Sequence, residues 1–229
     1  MFKFKKKGRI FKVDNNYPWM NSHTTPIASI LIDDRIRVYF SCRAKIDDNG
    51  NFISNSGFVD LDKDKPKNIL YIHDKPLLKL GAYGSFDEFG IMVTDVISHE
   101  DKIYMYYAGW QRLGGGTAAY QVMLGLAISE DKGLTFKKVS KGPIMGIDFY
   151  DPISIGNVSV AKEKNKWSIY YTNLTEWKLI GEKPSYEYEI KHASSTDGIF
   201  WQKSNRVMIG IENGFGVATP SVHKINDKY

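Results

Sequence analysis

Residues 101–107 read DKIYMYY, and this stretch decides the fold because it occurs in three versions. Residues 34–40 read DRIRVYF, and residues 165–171 read NKWSIYY. In each version a polar pair typical of a turn precedes the alternating apolar and aromatic pattern of a β-strand. The chain therefore contains an internal repeat of about 65 residues.

Further strands are predicted on both sides of each version. A strand-like segment precedes each one, at residues 26–32, 91–97 and 155–161, and a fourth such segment follows at residues 217–223. A second shared phrase follows, as AISEDKGLTF at 127–136 and ASSTDGIFW at 193–201, with a looser counterpart at 57–62. This phrase predicts a strand, an Asp-Gly type of turn and the start of another strand. Each repeat thus predicts four antiparallel strands.

A four-stranded sheet of this size cannot bury both of its faces alone. Radial stacking of such sheets buries them, so we predict an all-β protein with a β-propeller fold. A β-sandwich would not explain the period, and solenoid repeats are usually shorter, roughly 20–50 residues. The predicted blades are residues 20–80, 81–143 and 144–208, with an incomplete fourth at 209–229. We expect the chain to break off inside this fourth repeat, with further residues or another chain completing the ring.

Composition excludes several classes of function. The formal net charge is +5, and the chain lacks recognition-helix, RNP-type and zinc-finger patterns, so no nucleic-acid partner is predicted. Every apolar run is too short to cross a bilayer, so no membrane span is predicted. A single cysteine, Cys42, excludes an internal disulfide and favours a cytoplasmic location. The five histidines show no metal-ligand spacing, so neither a metal nor a cofactor is expected, and calcium or another ion in the axial channel is the alternative.

Three segments resemble the five-bladed propellers of glycoside hydrolase families 32, 43, 68 and 130, which include invertases, arabinanases and mannoside phosphorylases. They are FDEFGIM at 86–92, YYAGW at 106–110 and SSTDGIFW at 194–201. The resemblance implies an enzyme that cleaves or transfers a glycosyl group, and it suggests a role in surface-polysaccharide metabolism. It also implies carboxylates at the starts of the innermost strands, because glycosidic cleavage needs one protonated and one ionised carboxyl group across the bond.

The resemblance suggests three catalytic candidates. Asp87 precedes the innermost strand of the second repeat and is flanked by aromatic rings. Asp151 stands in an Asp-Pro pair before the innermost strand of the third, and Glu176 follows the second strand of that repeat as a candidate general acid. In the first repeat, Thr25 stands before Pro26 where the hydrolases usually place an aspartate. This departure leaves one carboxylate of the family pattern without a counterpart.

Other residues are expected to bind a sugar or a sugar nucleotide. They are His23, Arg43, Trp110, Tyr120 and Asn157. Arg43 suits a carboxylate or phosphate, because its guanidinium matches those groups in bidentate fashion. Trp110 suits a sugar ring, because aromatic faces pack against C–H surfaces. A surface pair between Arg43 and Asp47 or Asp48 is the alternative.

Three aspartates are expected to have structural roles. Asp131 and Asp197 lie in the Asp-Gly turns and are predicted to brace the outer strands, and Asp95 is predicted to pair with a neighbouring blade. Two other functions remain open besides the enzyme: a non-catalytic sugar-binding propeller and an interaction scaffold, with self-association possible. An enzyme predicts two carboxyl groups about 5–10 Å apart in a polar axial pocket. A sugar-binding module predicts aromatic groups and hydrogen-bond donors without that pair.

Overall fold

The structure, a computed structural model, describes residues 3, 5–15, 17–46, 48, 50, 52–113, 120–181, 183–211 and 216–224. Twelve strands and no helix occur in these ranges. The strands are β1 (Ser22–Ile32), β2 (Arg35–Arg43), β3 (Ser54–Asp62), β4 (Ile69–Ile72), β5 (Gly90–His99), β6 (Lys102–Arg112), β7 (Tyr120–Ser129), β8 (Lys137–Lys138), β9 (Ser154–Glu163), β10 (Lys166–Ile180), β11 (Lys183–Ser195) and β12 (Gln202–Ile209).

The strands form three groups of four, in which each strand pairs antiparallel with its neighbour in sequence. We call β1–β4, β5–β8 and β9–β12 blades one, two and three. A single parallel pair, Ser54 with Gly90, joins blades one and two. The fold is a β-propeller, so the prediction of an all-β propeller with four-stranded antiparallel blades is confirmed. The number of blades stays a prediction.

Apolar cores lie between successive blades, as radial stacking requires. One core joins blades one and two around Tyr39, Phe58 and Tyr107. A second joins blades two and three around Tyr106 and Trp167. The alternation seen in the sequence explains both, because neighbouring residues on a strand face opposite sides of its sheet. Tyr106 and Tyr107 accordingly belong to different cores.

The Asp-Gly turns brace the outer strands, as the sequence predicts. In blade two, Ser129 Oγ donates to Asp131 Oδ1 at 2.7 Å and accepts from the Gly133 amide at 2.8 Å. Burial acts to raise the pKa of Asp131, but hydrogen bonds from Thr135, Ser129 and backbone amides hold it below its usual value. The Tyr39 hydroxyl of blade one donates to the Gly133 carbonyl at 3.4 Å, so the turn also ties two blades together.

Blade three repeats this arrangement. Ser195 Oγ donates to Asp197 Oδ1 at 2.9 Å, and the Tyr106 hydroxyl of blade two donates to the Gly198 carbonyl at 2.8 Å. The tyrosine of one blade therefore fastens the outer turn of the next blade. The expectation that Asp131 and Asp197 brace the fold agrees with this geometry.

The innermost strands are joined through side chains as well. The Asp95 carboxylate on β5 accepts a hydrogen bond from the Val160 amide on β9 at 2.6 Å, as its predicted pairing with a neighbouring blade requires. At the corresponding place on β9, Ser159 Oγ accepts from the Val222 amide at 3.0 Å. Residues 216–224 therefore contact β9.

Candidate functional site

A cavity of about 400 Å³ opens where the three blades converge. It is lined by residues of all three blades and of the 216–224 segment: Arg43, Phe52, Met92, Trp110, Tyr120, Val122, Ser154, Gly156, Asn157, Thr172, Leu174, Trp177, Tyr186, Tyr188, Ala218 and Thr219. We call this cavity the aromatic pocket. Its volume falls within the range of about 300–1,000 Å³ that is typical of small-ligand sites.

One strand position of each blade supplies a different side chain to the aromatic pocket. Arg43 ends β2, Trp110 lies near the end of β6, and Leu174 lies on β10. Each of these residues follows the one before it by one period of the repeat. The fold thus aims the same position of every blade at the pocket, while the residue types differ completely.

Aromatic rings form two walls of the pocket. Trp110 and Tyr120 lie on one wall with ring centroids 5.3 Å apart. On the other wall, the ring of Tyr186 lies 4.9 Å from Trp177 and 5.0 Å from Tyr188. Flat apolar faces on two sides of a cavity can hold the C–H faces of a sugar ring between them.

The guanidinium of Arg43 lies against this aromatic surface. Its Cζ is 4.8 Å from the Phe52 ring centroid and 5.5 Å from the Trp110 ring centroid. Among the described residues no carboxylate forms an ion pair with Arg43, so the alternative pairing with Asp48 is absent there, while Asp47 lies outside the described residues. Arg43 is also the one charged side chain among the described pocket residues.

Two buried polar atoms of pocket residues have no hydrogen-bond partner within the described part of the chain. They are the indole Nε1 of Trp110 and the side-chain Oδ1 of Asn157. The Asn157 Nδ2, in contrast, donates to Thr219 Oγ1 at 2.8 Å. Buried polar groups are almost always paired with protein, water or ligand. Both atoms are themselves buried from solvent, so they lie beneath the surface of the cavity.

The sequence-predicted binding residues divide into two groups. Arg43, Trp110, Tyr120 and Asn157 come together in the aromatic pocket although they lie on three different blades. His23 lies outside the lining and is exposed, with its ring centroid 6.3 Å from that of Phe52. The roles of all five in binding stay predictions.

None of the predicted catalytic carboxylates lines the pocket. Glu176 comes nearest in sequence, because its neighbour Trp177 is a lining residue. Its side chain is about half exposed and pairs with Lys178 at 3.3 Å. Lys178 also pairs with Glu187.

Asp87 is buried within blade two, with about 1% of its surface exposed. Its Oδ2 accepts hydrogen bonds from the Tyr107 hydroxyl at 3.2 Å and from Lys138 Nζ at 2.5 Å. Its Oδ1 accepts from Ser85 Oγ at 3.1 Å. A Cβ on Gly109 would lie 2.8 Å from the Asp87 Cβ, so only glycine permits this close approach. The carboxylate is enclosed by the blade and both of its oxygens accept hydrogen bonds from the protein.

Asp151 has the same surroundings in blade three and is fully buried. Its Oδ2 accepts a hydrogen bond from the Tyr171 hydroxyl at 2.9 Å and forms an ion pair with Lys203 Nζ at 2.9 Å, and its Oδ1 accepts from Lys191 Nζ at 2.8 Å. Burial acts to lower the pKa of Lys191, but its hydrogen bond to Asp151 raises the pKa above the usual value. Lys191 is thus held as a cation beside this carboxylate.

Sequence reasoning missed the tyrosine and lysine partners, although the repeat contained their signal. Asp151, Tyr171 and Lys203 each lie one period of the repeat after their counterparts in blade two, which are Asp87, Tyr107 and Lys138. An Asp–Tyr–Lys set that recurs at the blade period belongs to the architecture of blades two and three. We call these two sets the Asp–Tyr–Lys clusters.

Blade one carries apolar residues at the positions of this cluster. Met20, Phe40 and Ile72 stand, in that order, one period before the aspartate, tyrosine and lysine of blade two. These three residues belong to one hydrophobic core, to which Phe11 and Val13 also contribute. The same place is therefore filled by a hydrogen-bonded ion pair in blades two and three and by packed apolar side chains in blade one.

No group of three or more His, Cys, Asp or Glu side chains suited to a metal ion occurs in the described ranges. Within those ranges no helix is long and apolar enough to cross a membrane. Burial raises the pKa of the Cys42 thiol to about 12, so this cysteine is protonated and unreactive at neutral pH.

No protein-family model matches the chain. Two curated proteins of Mycobacterium tuberculosis are similar to it: MT1551 of strain CDC 1551 and Rv1502 of strain H37Rv, both described as uncharacterized. Each is 31% identical over 208 residues, which are 90% of this chain and 66% of the relative. The chain therefore spans just under two thirds of the length of these relatives.

Solved structures of glycoside hydrolases share the fold. A structure described as a glycoside hydrolase has a TM-score of 0.65 at 15% identity, over 88% of this chain and 61% of its own. A family 117 glycoside hydrolase of the marine bacterium Zobellia galactanivorans has a TM-score of 0.65 at 12% identity, over 86% and 60%. A structure from work on GH130 mannoside phosphorylases and hydrolases of β-1,2 mannosidic linkages has a TM-score of 0.61 at 14% identity, over 87% and 58%. This similarity shows that the chain has the fold of glycosidase-type propellers.

Proposed function

We propose that this chain binds a saccharide in the aromatic pocket. The observation that carries the proposal is the meeting of Arg43, Trp110, Tyr120 and Asn157 in one cavity between two aromatic walls. Sugar rings present C–H faces that pack on aromatic rings and hydroxyl groups that need donors and acceptors. The guanidinium of Arg43, a residue of the pocket lining, supplies donors for such hydroxyl groups. The glycosidase-type fold is consistent with such a ligand.

The electrostatics of the described residues favour binding over cleavage. Glycoside hydrolysis needs two carboxyl groups about 5–10 Å apart beside the scissile bond. Among the described pocket residues there is no aspartate or glutamate. Asp87 and Asp151 are engaged by lysine and tyrosine, and blade one fills their counterpart position with hydrocarbon. We propose that these two carboxylates stabilise their blades.

The binding proposal is tested with a glycan array that holds neutral, uronic-acid-containing and phosphorylated oligosaccharides. Hits are then titrated by the change in tryptophan fluorescence, since Trp110 and Trp177 line the pocket. Trp110→Ala should weaken binding of a hit at least about tenfold, because a central aromatic contact is lost. The matched control is Phe200→Ala, which removes an exposed aromatic ring outside the pocket and should leave affinity unchanged. An array without hits, or equal losses in the two variants, would reject the pocket as a saccharide site.

A glycosidase-like enzyme is the second candidate, and the fold of the solved hydrolases favours it. Glu176 is then the carboxyl group best placed to act, because it adjoins the lining residue Trp177. Glu176→Gln should abolish turnover of a cleaved glycan, while Glu187→Gln, which alters the other partner of Lys178, should not. Asp87 and Asp151 would take part only if turnover fell in variants that keep their stability.

The arrangement of further blades is also a proposal. Residues 216–224 lie against β9 through the Val222 amide, as β9 itself lies against β5 through the Val160 amide. We infer that this segment is the innermost strand of a fourth blade, within the five-bladed ring that the resemblance implies. We place the protein in surface-polysaccharide metabolism in the cytoplasm. Fractionation of cells and comparison of their surface glycans with and without the protein test this setting.

A further inference from the structure

Two arginines of β2 lie over phenylalanine rings, but among the described residues only Arg37 has a charged partner. The Arg37 guanidinium lies over Phe58, with its Cζ 3.8 Å from the ring centroid. It also donates to both oxygens of Asp60, each at 2.7 Å. Arg43, at the other end of the strand, lies over Phe52 at a longer distance, with its Cζ 4.8 Å from the ring centroid. Arg37 thus has both an aromatic and a carboxylate partner, whereas Arg43 has only aromatic partners within the part of the chain that the structure describes.

The chemistry of the guanidinium specifies which charged partner would suit Arg43. A guanidinium carries five N–H donors in a rigid plane and keeps its charge at any pH that a protein tolerates. Contact with the Phe52 and Trp110 rings holds the Arg43 guanidinium beside the pocket, and a ring face takes up none of its N–H groups as a carboxylate would. Within the described ranges those donors have no carboxylate partner, and they belong to a residue that lines the aromatic pocket. A planar oxyanion held in the pocket would complete the arrangement as Asp60 does for Arg37.

The charge of the pocket also favours an anionic ligand. Arg43 is the single charged side chain among its described lining residues, so the lining carries a net positive charge beside apolar aromatic walls. Low-dielectric walls strengthen the attraction between this charge and an anion. They also make binding of a cationic sugar unfavourable, because like charges would be desolvated together.

We propose that the saccharide taken by the aromatic pocket is acidic, and that its carboxylate or phosphate pairs with Arg43. This inference rests on the proposed function, since it names the class of saccharide for the same pocket. Trp110 and the opposite wall hold the sugar ring, while Arg43 selects the charged substituent. A carboxylate and a phosphate share the oxygen geometry that a guanidinium recognises, and the test separates the two.

The experiment compares an acidic glycan from the array with its neutral counterpart, measured by isothermal titration calorimetry on the full chain. For a uronic-acid glycan the counterpart is the carboxyl-reduced form, and for a phosphorylated glycan it is the dephosphorylated form. The acidic form should bind about 10–100 times more tightly, which is the effect of a hydrogen bond to a charged partner. The acidic glycan with the larger ratio of affinity to that of its neutral counterpart identifies the group that Arg43 recognises, a carboxylate or a phosphate.

Variants assign the effect to Arg43. Arg43→Gln should reduce affinity for the acidic glycan about tenfold or more and change that for the neutral form less than about twofold. Arg9→Gln is the matched control, because it removes the same charge from an exposed residue far in sequence from the pocket lining. Arg43→Lys should restore only part of the affinity, since a lysine cannot form the bidentate contact.

The outcomes distinguish a preference for acidic saccharides from saccharide binding itself. Equal affinity for the acidic and neutral forms, or equal losses in Arg43→Gln and Arg9→Gln, would overturn the acidic class while leaving saccharide binding intact. Absence of binding by every glycan would overturn both. Binding of inorganic phosphate as tightly as a phosphorylated glycan would show that the sugar contributes nothing, which also contradicts the inference.

Discussion

The Asp–Tyr–Lys clusters and the aromatic pocket use charged and aromatic residues in opposite ways. In the clusters each carboxylate is buried, and lysine and tyrosine occupy its oxygens. In the pocket an arginine and several aromatic rings face a cavity, and polar atoms lack partners among the described residues. The clusters recur at the blade period, whereas the pocket places Arg43, Trp110 and Leu174 at one repeat position. In this propeller, recurring polar residues stabilise the blades, and differing residues at a recurring position form the site.

The largest effect on stability is expected for Asp151→Asn. This change leaves Lys191 and Lys203 without the carboxylate that both contact, and breaking a buried ion pair costs about 3–5 kcal/mol. Urea unfolding followed by tryptophan fluorescence measures the loss. Asp148→Asn is the control, because Asp148 also pairs with Lys203 but is partly exposed, and it should cost much less. A stable Asp151→Asn variant that had lost only turnover would instead indicate a catalytic carboxylate.

Blade one supplies a second test of the clusters. Asp87→Met alone should destabilise strongly, because it leaves Lys138 without its carboxylate beside Tyr107. The triple variant Asp87→Met, Tyr107→Phe and Lys138→Ile copies the apolar set of blade one. It should recover much of the loss, on the order of 1–4 kcal/mol, because packed hydrocarbon can replace a buried ion pair. Urea unfolding of the two variants gives this difference directly. No recovery would mean that blade two requires the ion pair itself.

Asp95 gives a smaller, pH-dependent effect. Burial raises its pKa to about 6, although backbone hydrogen bonds from Val160 and Val96 act to lower it. The folded protein therefore holds this proton more tightly than the unfolded chain does. Stability from this group should be greatest below about pH 4 and should fall by up to about 3 kcal/mol as the pH rises through 6. Unfolding free energies measured between pH 4 and 7 test the slope.

The slope should disappear in Asp95→Asn, which cannot ionise. It should remain in Ser159→Ala, which alters the uncharged counterpart of Asp95 on β9. A variant lacking the carboxyl group that kept the full pH dependence would assign the dependence to another titrating group.

The fold could be predicted because its determinants are local and repeated. The alternation in residues 101–107 specifies a strand, and the spacing of its two other versions specifies the blade. The turn roles of Asp131 and Asp197 followed from their neighbours in sequence. The pairing of Asp95 with the next blade followed from its place within a strand.

The site could be predicted only in part. Arg43, Trp110, Tyr120 and Asn157 were found because strand ends and loops at one mouth of a propeller converge. The burial of Asp87 and Asp151 was not foreseen, because it depends on lysines of outer strands that are distant in sequence. The second aromatic wall depends on the long hairpin of β10 and β11, whose length residue types alone do not indicate.

The most direct measurement determines affinity for an array-selected glycan and the free energy of unfolding side by side in Trp110→Ala and Asp87→Asn. The first variant should lose most of its affinity while keeping nearly all of its stability. The second should lose stability while the fraction that remains folded binds the glycan normally. The reverse pattern, with an intact Asp87→Asn fold that neither binds nor processes the glycan, would place the chemistry in the clusters and contradict this account.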